Sequence, residues 1–498
     1  MRRWELKRKE VNLKNFYSME RIMKAKFFGK LFVLIFFILI LFNQAFPSGF
    51  SVSGVGSKAV SMGGAFRGLA DDWSAAYWNP AGLAYLGKSE ISATYIVLSP
   101  RPDYIPKVFY GGENSYAVGF KNGIKWYPID KNIHFPNFSG FVNLKKFGGF
   151  TTGLAFYLPY TMKYNWDLYQ PPTGYKTSSP YPKVNHMIDI DVFDFHPTIA
   201  KEVIKEKLSL GLGISVQFAN LTLKRTTLLH TDSTLIRPYD NFPIDCKLDE
   251  DGWGFGFNFG VLFKPMPKLQ VGASYKSQVT LNLSGKTNLA LYLPYDPSYS
   301  IEVPRKDSLL FLGGTPSWEI NEDMDLKLPA EMGIGISYQP LNKLTLALDI
   351  SQTNWSVMDN LEPKFLLPFP TTNPDTVVPQ TLQIPLQWED VVRYSLGVEY
   401  QLLKKLAVRG GYYSDPSPIP DKTFSPLFPD VGDKNGINLG LSYRFNSIEL
   451  GYNYEYLNFK ERKINQLEDV NGDGVFDNYP GWYKMNMHSS YFTFIYHF

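Results

Sequence analysis

The chain has 498 residues, 16% of them aromatic and 19% charged, with 32 Tyr and 37 Phe; that balance excludes an ordinary polar soluble enzyme and suits a membrane wall with an aromatic girdle at each rim. The formal charge of +3 comes from the first thirty residues, which hold ten Lys or Arg and three Asp or Glu and leave 40 basic against 44 acidic residues in the remainder. A basic nucleic-acid-binding face on the folded body is thereby excluded, and the single Cys246 excludes an intramolecular disulfide and a cysteine metal cluster.

The first expected element is a leader. Lys24, Lys26 and Lys30 precede the uncharged run Leu31 to Phe42, and Asn43, Gln44 and Ala45 follow as a small-residue exit. This is the layout of a secretory signal, so residues 1 to 45 are assigned to leader and signal peptide, with Met23 as an alternative start. The apolar run is too short for a spanning helix, which needs about 20 such residues.

Residues 46 to 87 form a second unit, rich in Gly, Ala and Ser. Gly54-Val55-Gly56 opens like a phosphate-cradling loop, but no Gly-Lys-Ser/Thr follows and no strand precedes it. Close packing of small residues explains the composition better, with Gly63, Gly64 and Gly68 permitting near approach of backbone. Asp71 and Asp72 are expected to cap a short helix, and Asn79-Pro80-Ala81 reads as a turn. Ala59, Met62, Ala65, Phe66, Leu69, Trp73, Tyr77, Trp78 and Leu83 place so much apolar surface in this unit that it must be buried. The prediction is a hatch inside a barrel lumen, with Asn79, Pro80, Ala81, Gly63 and Gly64 as its gate residues.

From residue 88 to 498 the pattern has period two. Val392, Tyr394, Leu396, Val398 and Tyr400 alternate with Arg393, Ser395, Gly397 and Glu399, and Ile437 to Phe445 and Ile448 to Tyr456 repeat the pattern. The predicted strands are 88–98, 136–146, 149–160, 187–203, 207–224, 253–264, 268–284, 327–338, 342–355, 390–401, 404–413, 436–446, 447–458 and 487–498. An additional candidate at 115–127 is placed in the first outer loop. The connections alternate long and short, as in outer-membrane barrels with long outer loops and short periplasmic turns. The fold class is therefore all-β, an antiparallel transmembrane barrel of about 14 strands, whose even count returns both ends to the periplasm.

Charges at Asp349, Arg393, Glu399, Arg409, Arg444, Glu449 and Glu455 are expected to face the lumen, since charge facing lipid is costly. Most form a neutralising ladder. Arg393 or Arg409 is the candidate partner for a substrate carboxylate. His134, His186, His196, His230, His488 and His497 show no zinc spacing and no nucleophile elbow, so no catalytic residue is assigned. Asp469, Asn471, Asp473 and Asp477 follow a calcium-loop pattern that lacks its final acid; a structural calcium there competes with a plain acidic turn. No other cofactor is expected. In the last strand Phe492, Phe494, Tyr496 and Phe498 share a face that should meet lipid.

The segment from Gly54 to Leu86, with Asn79-Pro80-Ala81, resembles the N-terminal hatch of the FadL-type outer-membrane transporters, a family of long-chain fatty acid and aromatic hydrocarbon channels. Gly252 to Val279, Leu328 to Ser356 and Trp388 to Pro429 are similar to the same family, the last through Arg409-Gly410-Gly411-Tyr412 and Asp415 to Asp421. The resemblance implies a fourteen-strand barrel plugged by a hatch, an apolar lumen site filled from outside, and release when the hatch shifts. It implies passive uptake of hydrophobic molecules, foremost long-chain fatty acids, with hydrocarbons as the alternative and an enzyme or an open porin less favoured. The expected partners are the hydrophobic substrate, outer-membrane lipid and the barrel assembly machinery, which would read the terminal Phe498; the chain is expected to be a monomer.

Overall fold

The computed structural model describes residues 49–107, 132–144, 148–169, 174–230, 239, 241–298, 309–365, 381, 383–428, 430–472 and 476–498. The leader and signal peptide, the candidate strand 115–127 and Asp473 lie outside the described residues.

Each period-two segment has one face suited to lipid and one small or polar face suited to the lumen, and becomes a strand. In chain order these are β1 (Glu90–Pro106), β2 (Ile133–Leu144), β3 (Phe150–Trp166), β4 (His186–Ile204), β5 (Leu208–His230), β6 (Asn241–Met266), β7 (Leu269–Lys276), β8 (Val279–Leu291), β9 (Ser317–Leu328), β10 (Glu331–Leu341) and β11 (Leu344–Thr353). Three two-residue pieces follow, β12 (Asn360–Leu361), β13 (Lys364–Phe365) and β14 (Ile384–Pro385). Then come β15 (Val391–Leu403), β16 (Leu406–Asp415), β17 (Lys434–Phe445), β18 (Ile448–Phe459), β19 (Arg462–Ile464) and β20 (Gly481–His497).

Antiparallel pairing runs from β1 through β7, then β10, β11, β15, β16, β17, β18 and β20, and β20 returns to β1 from Glu90↔His497 to Pro106↔Gly481. The ring is a closed barrel of 14 strands, the number expected. Trp253, Phe255, Phe257 and Phe259 on β6 and Phe492, Phe494, Tyr496 and Phe498 at the chain end are exposed on the outer surface, where lipid replaces water. The Phe498 N–H donates to Ser89 O (2.9 Å), so the end of the chain is tied to the start of the wall.

Two expected strands are broken. The segment 268–284 becomes β7 and β8 with Ser277 and Gln278 between them, and 327–338 is split into β9 and β10 around Pro329 and Ala330. Pro329 has no N–H for a ladder. Below the breaks β7 joins the lower half of β6 to β10; above them β8 pairs with the upper half of β6 and with β9. The outward residues of this upper sheet are polar, such as Asn282, Ser284 and Lys286, so it stands above the apolar belt, and its part from 285 to 326 falls where the sequence predicts a long loop.

The hatch lies inside the ring. It comprises α1 (Ser57–Ser61), α2 (Ala75–Trp78) and a 3-10 turn over Pro80–Tyr85. Ala59, Met62, Ala65, Phe66, Leu69, Trp73, Trp78 and Leu83 are all buried, and Tyr77 packs partly buried beside them.

Candidate functional site: a stoppered apolar lumen

The hatch is seated by backbone contact and by a few buried charges. Asn79 donates from Nδ2 to Arg67 O (2.8 Å) and to Val261 O on β6 (3.0 Å), while its Oδ1 accepts from Ala81 N (3.2 Å) and caps the 3-10 turn. Pro80 stands at the first position of that turn, where no N–H is needed. The wall answers with Ser209, which donates to Ala81 O (2.9 Å), and Asn258, which donates to Ala76 O (2.6 Å). Asp349 on β11 accepts from Phe66 N (3.0 Å) and Arg67 N (2.8 Å), and the buried Arg67 also pairs with Glu331.

Close approach requires glycine on both sides. Gly63 and Gly64 adopt φ of 67° and 78°, a left-handed backbone that other residues rarely take. Across the interface a Cβ on Gly411 would lie 2.0 Å from Gly63 N, and one on Gly272 would lie 1.9 Å from Arg67 O. Gly211, Gly260, Gly335, Gly397 and Gly440 face hatch atoms in the same way.

The expected capping by Asp71 and Asp72 is only partly realised. The cap of α2 is Ser74, and Asp72 holds it in place by accepting from Ser74 N (2.9 Å) and Oγ (2.6 Å). Burial pushes the Asp72 carboxyl up to about 7. Asp71 instead pairs with Lys58 (2.8 Å), which also reaches Glu399 (3.3 Å).

Above the hatch the inner wall turns apolar. Met162, Tyr164 and Trp166 of β3, Ile188 and Ile190 of β4, Leu281 and Leu283 of β8, Met324 and Leu326 of β9, and Tyr483 and Met485 of β20 join Trp355, Trp388 and Phe424 from the loops in one buried cluster. A cavity lies between this wall and the chain entry at Gly49–Ser53, with Asp430 and Lys434 as its charged lining residues. Burial pushes the Asp430 carboxyl up to about 7 against the opposing pull of the Lys434 ammonium. Lys434 stands 3.7 Å from Asp415, and the Arg462 guanidinium lies 4.4 Å over the Phe424 ring. A second, polar cavity beneath is lined by Tyr77, Asp194, His196, Ser215, Gln217 and Lys276.

Besides the breaks at Ser277 and Gln278 and at Pro329 and Ala330, the pairing of β3 is interrupted beside this chamber. β2 and β3 pair only from Phe138↔Phe156 to Leu144↔Phe150, and β3 shifts register against β4 between Tyr157 and Tyr160. Leu158 and Pro159 fill that irregularity, and the hatch entry covers it: Val52 N–H donates to Pro159 O (3.0 Å) and Thr161 N–H to Phe50 O (3.3 Å). At Pro159 and Thr161, β3 thus takes hydrogen bonds from the hatch in place of ladder bonds to β2, while it stays paired with β4 on its other side.

Most predicted lumen charges are buried or half-buried, and Arg444 alone is exposed, at the rim beside Glu449. Arg409 donates to Glu399 (2.6 Å) and Ser442 (3.0 Å). Arg393 donates to Ser53 O (3.0 Å) and Gly63 O (3.2 Å), lies 3.7 Å from Asp415 and covers the Tyr413 ring at 3.9 Å. Arg409 is thus held in the charge ladder and Arg393 by the hatch, while Arg393 also covers the Tyr413 ring at the lower edge of the upper apolar cluster. Lys434 lines the upper cavity and Arg462 packs on Phe424 of the same cluster while donating to Ile419 O (2.9 Å) and standing 3.6 Å from Asp421; neither is singled out by the sequence, since Lys434 stands two residues before the strand start expected at 436. In the calcium-like loop, Asp469 accepts from Gly472 N (2.7 Å) and Asp477 from Val470 N (2.8 Å), so each uses an oxygen to shape the turn. Among the described residues no cluster of three or more His, Cys, Asp or Glu could hold a metal.

Known proteins share this architecture. The crystal structure of a Pseudomonas aeruginosa FadL homologue matches with a TM-score of 0.70 at 19% identity, covering 91% of this chain and all of that one. The Pseudomonas putida toluene transporter TodX matches with a TM-score of 0.64 at 13% identity, over 90% of this chain and 99% of its own. At these identities the likeness shows the fold. Among curated relatives, outer membrane protein P1 of Haemophilus influenzae is 25% identical over 286 residues, 52% of this chain and 55% of that protein. A long-chain fatty acid transport protein of Escherichia coli O6:H1 is 25% identical over 438 residues, 84% and 89% of the two chains. The chain spans about half the length of the first curated relatives it matches, 55% for the Haemophilus protein. The family described as outer membrane protein transport protein (OMPP1/FadL/TodX) matches residues 38–498, and the chain belongs to that family of outer-membrane transport barrels, which is not a family of enzymes.

Proposed function

We propose that the barrel takes up hydrophobic molecules passively from outside the cell, with long-chain fatty acids as the main substrates. The observation that carries this reading is the aromatic, apolar chamber stoppered from below by the hatch. An open porin would need a water-filled path, whereas this lumen is packed at the height of the hatch. An acyl chain would lie along Met162, Tyr164 and Met485, and its carboxylate would meet Lys434 or Arg462 by a charge-assisted bond. Hydrocarbon uptake is the alternative, favoured by the likeness to a toluene transporter. Ligand binding moves the hatch only insofar as it favours one seating over another. The unpaired stretch between β2 and β3, covered by Phe50–Val52, is the exit that such a movement would uncover. The same reading keeps a weak structural calcium for the loop at 469–477.

Uptake of labelled oleate and of toluene by cells without their own transporters tests the proposal. A Lys434→Gln, Arg462→Gln variant should lose most oleate uptake and keep toluene uptake. Equal loss of both would remove the carboxylate assignment, and no uptake of either by the parental protein would remove the function.

A further inference from the structure

The short-turn rim carries an arc of lysines. Lys207 ends the β4–β5 turn, Lys264 and Lys268 flank the β6–β7 turn, Lys343 lies in the β10–β11 turn, and Lys404 and Lys405 form the β15–β16 turn. Backbone bonds link these turns in series: Lys264 N–H donates to Lys207 O (2.7 Å), Gln339 to Lys268 O, Gln401 to Lys343 O and Arg444 to Lys405 O (2.8 Å each). The lysines therefore stand on one continuous edge, from β4 to β16 through neighbouring strands, about 34 Å long at ~4.8 Å per strand.

Lys207, Lys268, Lys343, Lys404 and Lys405 are exposed, and no described carboxylate forms an ion pair with any of them. The segments 262–271, 339–346 and 401–406 contain no Asp or Glu. Directly above the lysines the outer surface is apolar: Phe263, Leu341 and Leu403 are 46%, 61% and 60% exposed. The Lys405 ammonium stands 5.4 Å from the ring centre of the exposed Phe445. Lys207 shares its turn with Glu202 and Glu206, whereas Lys268, Lys343, Lys404 and Lys405 stand as uncompensated cations along the lower border of the lipid-facing belt, the depth of phospholipid headgroups.

We propose that this arc docks anionic phospholipids of the periplasmic leaflet. The headgroup phosphate accepts from two or more lysine ammoniums, and the acyl chains lie along Phe263, Leu341 and Leu403. A lipid fits better than an acidic protein, because tight turns offer no projecting surface and the cations follow the edge of the belt. The inference rests on the membrane orientation of the barrel and is independent of the substrate.

Native mass spectrometry of the barrel released from nanodiscs of phosphatidylcholine and phosphatidylglycerol in equal amounts reads the retained lipids. Phosphatidylglycerol is expected to be enriched about tenfold. In a Lys268→Gln, Lys343→Gln, Lys404→Gln, Lys405→Gln variant the enrichment should vanish, and arginine at the same positions should preserve it; heat-modifiable migration on gels checks that each variant is folded. Should the glutamine variant fail to fold, high salt applied to the parental protein should abolish the enrichment in its place. Equal retention of both lipids by the parental protein, or undiminished enrichment in the folded glutamine variant or at high salt, would overturn the proposal. Displacement by millimolar inorganic phosphate would reduce the arc to a simple anion site, and tighter binding of soluble polyglutamate than of phosphatidylglycerol vesicles would assign it to an acidic protein; either result also overturns it.

Discussion

Replacing Gly272 with alanine asks whether the hatch is held by backbone contact with the wall. The added Cβ would lie 1.9 Å from Arg67 O, 2.6 Å from Arg67 C and 2.7 Å from Asn79 Nδ2. Ordinary contact begins near 3.5 Å, so the Arg67 carbonyl must retreat by roughly 1.5 Å. That movement breaks the Asn79 Nδ2 bond to Arg67 O, now 2.8 Å, and strains the companion bond to Val261 O, now 3.0 Å. A buried amide deprived of a partner costs about 1–3 kcal/mol, and the overpacking itself costs a further ~1–3 kcal/mol. The cost falls on the hatch, because the ladder of Gly272 to Gly335 and Leu262 is a matter of strand backbone that alanine preserves. Even about 2 kcal/mol shifts the ratio of seated to displaced hatch by roughly 25-fold. Conductance in planar bilayers reads the displacement: Gly272→Ala should show frequent open events in a barrel that still migrates as heat-modifiable. Gly410→Ala is the control, since a Cβ there meets nothing nearer than 4.0 Å. Parental conductance in folded Gly272→Ala protein would mean that backbone contact at Gly272 does not hold the hatch.

Asn79→Ala removes both donor bonds and the cap of the 3-10 turn, and should alter hydrophobic uptake while leaving barrel assembly and heat resistance nearly unchanged; parental rates for every compound would place the gate elsewhere. Phe498→Asp should lower outer-membrane assembly without changing export across the inner membrane, and a normal barrel yield would mean that the terminal Phe is only part of the girdle. The Asp430 carboxyl titrates near 7 when folded, against about 3.8 when unfolded, so the native loop binds the extra proton and loses stability as pH rises from about 4 through 7. Asp430→Asn should flatten that slope and raise stability at pH 8 by on the order of 4 kcal/mol at most, read as a higher melting temperature; unchanged melting profiles from pH 4 to pH 8 would argue that Lys434 already compensates the charge.

The strands that face lipid along their length were legible because alternation there has a strong physical cause. Val392 to Tyr400 and Ile448 to Tyr456 lie within β15 and β18 with the predicted faces. β8 and β9 were misplaced because their outer faces meet water, so the apolar contrast that marks a membrane strand is absent. Burial of the hatch followed from Phe66, Trp73 and Trp78, which have too much apolar surface for a free tail. What the hatch touches did not follow. Gly272 and Gly411 read as small inward residues, and nothing local says that Arg67 or Gly63 backbone presses on them. Arg393 was placed correctly in the lumen, but its bond to Gly63 O joins positions 330 residues apart, a pairing that periodicity cannot reveal. Pairing alone exposed the break between β2 and β3, since Pro159 lies within a segment of otherwise ordinary strand character.

If substrate passes only when the hatch leaves its seat, a reversible covalent lock between hatch and wall should stop transport. A Cβ on Gly451 would lie 4.0 Å from Ser57 Cβ, within the separation that a disulfide spans. In a Ser57→Cys, Gly451→Cys double variant, oxidation ties α1 to β18 across the lumen. The oxidised protein, reconstituted in vesicles, should stop transporting labelled fatty acid and recover the parental rate when a reductant opens the bond. Equal transport by the oxidised and reduced forms, with the crosslink verified by mass spectrometry, would contradict it.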